Sequence, residues 1–160
     1  LHRALFVSVL VAGLITTLAI ADSPVMGTIE ALKVVVGDSG EEVYLPADEA
    51  RPQDVIEYRL KYANRGDQAV AKLSITDPVP AGARYVAKTA QSPKSATVLF
   101  SADGAKTFHK WPVRVKQTDA EGREVWVDAT SDMITHIRWT LSGALEPASE
   151  ISFSYRAEVE

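Results

Sequence analysis

The chain has 160 residues, 46% hydrophobic and 24% charged, which suits one globular domain with a packed core and leaves no room for two large ones. A formal charge of -4 with no run of Lys or Arg excludes the basic stripe that a nucleic-acid partner requires. The chain has no Cys, which excludes disulfides, thiolate metal sites, a thiol nucleophile and lipid attachment through Cys.

The first element is an export signal. LHRALFVSVLVAGLITTLAIADS has a short basic start at His2 and Arg3, an apolar run from Ala4 to Leu18, and Ala19-Ile20-Ala21 before Asp22. The small-x-small pattern places cleavage after Ala21, so residues 1–21 are expected to form a signal-peptide helix and residues 22–160 the mature domain. An apolar run of this length lies at the lower edge of what spans a bilayer, so membrane attachment is expected only if the segment stays uncleaved. Stability in the oxidising compartment beyond must come from the hydrophobic core.

From Thr28 onward the dominant period is two, which marks half-buried strands. IEALKVVV and EVYL are weaker strands, separated by a break at Gly37 to Gly40. DVIEYRLKYAN sets Ile56, Tyr58, Leu60 and Tyr62 on one face and Glu57, Arg59 and Lys61 on the other, which is expected to meet water. AKLSITD repeats the pattern with Leu73 and Ile75, and ARYVA, TVLFS, WPVRVK and EVWV follow. ITHIRWTL places Ile137, Trp139 and Leu141 on one side; EISFSYRAEVE does the same for Ile151, Phe153, Tyr155, Ala157 and Val159. Roughly eight to ten strands with turn residues between them predict an all-β fold, an immunoglobulin-like antiparallel β-sandwich, with Trp139 at the centre of its core.

Between the third and fourth of these strands lies YANRGDQAV, which contains the tripeptide Arg65-Gly66-Asp67. That tripeptide is an adhesion signal in other settings. Here Asn64, Gly66 and Asp67 are the residues a tight connection favours, through positive φ or local hydrogen bonds, and Arg65 is expected to point into solvent.

YANRGDQAVAKLSITDPVPAGARYV, FSADGAKTF and IRWTLSGALEPASEISFSYRAEV together resemble the bacterial surface repeat domain known as domain of unknown function eleven. The matching positions are Asn64, Gly66, Asp67, Thr76, Asp77, Pro80, Gly82, Leu145 and Pro147, spread over most of residues 52–160. The chain departs from the family at Ala148-Ser149, where Gly commonly follows Pro, which leaves the shape of that turn open. The resemblance implies an immunoglobulin-like sandwich in exported or cell-surface proteins, usually without catalysis, and it supplies no ligand or binding residues.

Catalytic motifs are absent: there is no G-x-S-x-G, phosphate-cradling Gly loop or H-E-x-x-H. A hydrolase constellation could assemble from Ser101, Asp103 and His109, although strand and turn placement already accounts for all three. Glu41-Glu42, Asp48-Glu49 and Asp119 with Glu121 are loop carboxylates of the kind calcium uses, but they lack a calcium-loop spacing and read as solvated. Asp77, before Pro78, reads as a turn initiator, and Asp103-Gly104 as a hairpin with φ > 0 at Gly104. No catalytic residue, cofactor or metal site is therefore expected.

Two tryptophans remain as candidate partner contacts. Lys106, Lys110, Arg114 and Lys116 flank Trp111, which invites a carbohydrate or polyanion reading, against an amphipathic strand with Trp111, Val113 and Val115 inward. Trp126 alternates out of phase with Val125 and Val127 and is the better candidate for an exposed contact. IEALKVVV could pair within the domain or be donated to a neighbour's sheet edge. The expected function is a non-enzymatic module of the bacterial envelope or exterior, periplasmic, cell-surface or secreted, recognising an envelope or extracellular protein. A glycan-binding module using exposed Trp is the alternative, and a small secreted hydrolase the second alternative.

Overall fold

A computed structural model describes residues 24–160. The expected signal helix and its cleavage site lie outside the described residues.

The described chain is all-β, with a single 3₁₀ turn at Ser131–Met133. Twelve strands follow in order: β1 Val25–Val36, β2 Glu42–Pro46, β3 Val55–Asn64, β4 Val70–Ala71, β5 Ser74–Pro78 and β6 Ala83–Tyr85, then β7 Ala96–Ser101, β8 Arg114–Thr118, β9 Glu124–Asp128, β10 His136–Leu141, β11 Ala144–Leu145 and β12 Glu150–Val159. All pairings are antiparallel. One sheet has the order β2-β1-β3-β12-β6 and the other β5-β10-β7; β4 with β11 and β8 with β9 form two short ribbons.

The two larger sheets enclose the core, because each turns its apolar set inward. Ile137, Trp139 and Leu141 are buried on β10, and Phe153, Tyr155 and Ala157 on β12, the faces that the alternation predicts. Trp139 is fully enclosed, stacks on Phe153 at 5.3 Å between ring centroids, and satisfies its indole N–H by donating to the Gln91 carbonyl at 3.1 Å. Burying each such side chain contributes roughly 1.5–3 kcal/mol.

The alternative left open for IEALKVVV is decided in favour of pairing within the domain: β1 lies between β2 and β3, and β2 and β6 are the edges of that sheet. Three expectations need correction. Glu57 does not face water but is buried, held by Arg59 Nε at 2.7 Å and Arg156 Nε at 2.9 Å. That pairing removes most of the cost of desolvating a carboxylate. The strand predicted from Trp111 starts only at Arg114, because Pro112 has no N–H to contribute to a ladder. Asp77 initiates no turn; it sits inside β5, buried, and accepts a hydrogen bond from the Tyr155 hydroxyl at 2.8 Å. Burial pushes its carboxyl above the usual carboxylate range, opposed by that hydroxyl and by the nearby His136.

Candidate functional site

Asn64 at the end of β3 is fully buried, and its side chain builds the Arg65-Gly66-Asp67 turn from within. Oδ1 accepts from the Gly66 N–H at 3.0 Å, while Nδ2 donates to the carbonyls of Gln68 at 2.7 Å and Leu145 at 2.9 Å. Gly66 is needed for space and not for positive φ, since a Cβ there would stand 2.6 Å from Pro24 Cβ. Arg65 is largely exposed, as expected, with its guanidinium 3.4 Å from Glu150, and its backbone N–H is tied to Pro24. The tripeptide is thus part of a pinned turn.

The Ser101, Asp103 and His109 set is also absorbed by local structure. Ser101 is fully buried and donates to Asp103 Oδ1 at 2.7 Å. Asp103 further accepts from the backbone of Lys106 and Thr107 and from the Thr107 hydroxyl, which holds its carboxyl far below the usual range, the Thr107 hydroxyl contributing most. His109 Nε2 lies 3.1 Å from Thr107 Oγ1. The carboxylate therefore stands between serine and threonine, the imidazole touches neither Ser101 nor Asp103, and the cluster closes the turn around Gly104, whose φ is +72°.

The loop carboxylates do not converge on a common point. Glu42 receives both terminal nitrogens of Arg156, at 2.7 and 2.6 Å, and Asp119 caps its own turn and pairs with Arg123 at 2.8 Å. No group of three or more His, Asp or Glu that could hold a metal ion occurs among the described residues.

What remains is a groove of about 860 Å³ beside the β8–β9 ribbon. Register creates it: Lys116 lies opposite Trp126 and Arg114 opposite Asp128, so all four share the ribbon's outer face, while Val115 and Val127 share the inner one. Trp126 is 56% exposed, the only described Trp with most of its surface in water. Lys116 Nζ stands 5.7 Å from the indole centroid, and Arg114 donates to the Trp126 carbonyl at 2.9 Å, fixing that backbone. Lys110, His109 and Asp103 also line the groove.

The structure separates the two candidate tryptophans. Trp111 is half buried between Tyr85 and Phe100, at 6.3 and 5.6 Å between ring centroids, and lines a different depression of about 480 Å³. Of the basic residues expected to flank Trp111, Arg114 and Lys116 are brought to Trp126 instead by the pairing of β8 with β9, and Lys110 lines the same groove.

A second exposed feature is β2, all five residues of which are exposed, including Val43, Tyr44 and Leu45. EVYL carries only a weak strand pattern; β2 lies at the sheet edge because β1 is paired on both sides, with β2 and β3.

No family model matches the chain, and no curated protein or solved structure shows significant similarity to it.

Proposed function

We propose that this chain is an exported, non-enzymatic immunoglobulin-like module of the bacterial envelope or exterior that acts as a structural or protein-interaction domain. The observation that carries the reading is β2: a five-residue edge strand with unpaired backbone groups on one side and three exposed apolar side chains. Such an edge is a template for strand addition, where main-chain hydrogen bonds supply affinity and alternate side chains supply selectivity. Support for export is the signal-like run before Asp22, and support for a surface role is the resemblance to the surface repeat domain at Asn64, Gly66 and Pro80.

The test is site-directed photo-crosslinking in the native envelope, with the probe at Val43 and, as a control, at the exposed Asp67 turn. The reading expects one discrete adduct from Val43, lost on Leu45→Lys, and none from Asp67. Equal labelling at both sites, or turnover of a small substrate by purified protein, would overturn it.

A second reading, a glycan-binding module, is favoured by one observation: the exposed Trp126 lining a groove. An indole in water offers a flat apolar face at little conformational cost.

A further inference from the structure

The Trp126 groove is cationic on the surfaces a ligand would touch. Lys110, Arg114 and Lys116 line it, and Asp103 is the one carboxylate on the wall. Asp103 is already occupied by the Ser101 and Thr107 hydroxyls and by two backbone N–H groups, so it has little capacity left to attract or repel a ligand's polar groups. Lys110 has no acidic partner among the described residues.

The other two cations have exposed, replaceable partners. Lys116 meets Glu124 at 2.9 Å and Arg114 meets Asp128 at 3.8 Å, with every one of these side chains more than half exposed. Pairs of this kind contribute little, so an incoming anion displaces them at small cost. Lys116 also lies over the Trp126 ring, its Nζ 5.7 Å from the centroid, so a ligand stacked on the indole meets a mobile positive charge there.

A flat indole in a groove lined by three cations suits a ligand that is itself flat and apolar on one side and anionic at its rim. We propose that the groove binds an acidic saccharide, a sugar ring stacked on Trp126 with its carboxylate paired to Lys116 and Lys110. This deepens the glycan-binding reading and rests on it.

The test is calorimetric titration of the purified protein with three probes: a hexamer of galacturonic acid, the neutral hexamer of glucose, and polyglutamate as an anion without sugar rings. The expected result is binding of the acidic hexamer at least tenfold tighter than either other probe. Trp126→Ala should weaken it more than tenfold, the double variant Lys110→Gln, Lys116→Gln should weaken it at least fivefold, and raising salt should weaken it further. These side chains are exposed, so unchanged melting and circular dichroism will confirm that the variants fold. Equal binding of the neutral hexamer with the same Trp126 dependence would overturn the acidic class and leave the glycan reading standing. Equal binding of polyglutamate, indifference to Trp126→Ala, or no binding of either sugar would overturn both.

Discussion

Replacing Asn64 with Ala should destabilise the domain by about 3 kcal/mol, because the side chain makes three hydrogen bonds and each contributes about 1 kcal/mol net. Water cannot easily restore the loss, since Asn64 is fully buried and its bond to the Leu145 carbonyl lies in the interior. At roughly 2–4 °C per kcal/mol for a domain of this size range, the melting midpoint should fall by about 10 °C. The assay is thermal and urea unfolding followed by far-UV circular dichroism, with the urea slope checked to be unchanged. Asp67→Ala is the control: Asp67 is exposed, and the change should stay within about 0.5 kcal/mol. A loss below about 1 kcal/mol in Asn64→Ala, or an equal loss in Asp67→Ala, would refute the claim that the turn is held from its buried asparagine.

Trp139→Ala should cost about 3–5 kcal/mol in guanidinium unfolding, since it empties the centre of the core and removes one of the two donors to the Gln91 carbonyl; a loss near 1 kcal/mol would contradict full enclosure. Tyr155→Phe removes donation to Asp77 and to the Pro78 carbonyl and should cost about 1–3 kcal/mol at neutral pH. Burial raises the Asp77 pKa in the folded state, so its neutral form is favoured there. The Tyr155→Phe loss should therefore shrink as pH falls through this raised range, because a protonated carboxyl no longer needs the donor. Glu42→Gln tests the opposite sign, because hydrogen bonds from Arg156 and then Tyr44 lower the Glu42 pKa from 4.5 to about 2. The stability difference between wild type and Glu42→Gln should be present at pH 7, decline as pH falls below 4.5, and vanish below about 2, and it should be reduced by salt.

The alternation on β10 and β12 made their inward faces legible from the letters, since Trp139 and Phe153 could not change face without exposing a whole apolar set. Gly104 was equally legible, because Asp-Gly in a short connection carries its own backbone preference. The buried polar residues were not. Glu57 with Arg156 and Asp77 with Tyr155 are partners 99 and 78 residues apart, and nothing local distinguishes a paired carboxylate from a solvated one. At Ala148 the chain takes φ +56°, the left-handed conformation that glycine adopts most readily, which no local letter pattern announced.

The candidate site divides along the same line. Trp126 was marked by its phase against Val125 and Val127, a property of one strand, and its exposure follows from that phase. Its neighbours were assigned to Trp111 because chain proximity was the only guide, whereas the register of β8 on β9 brings Lys116 and Arg114 to the other tryptophan. Strand periodicity and turn chemistry are encoded within a few residues and so belong to the sequence alone. Which strand forms the edge, which carboxylates are buried and which cations meet at an exposed indole depend on pairings between distant segments, and only the folded sheets decide them.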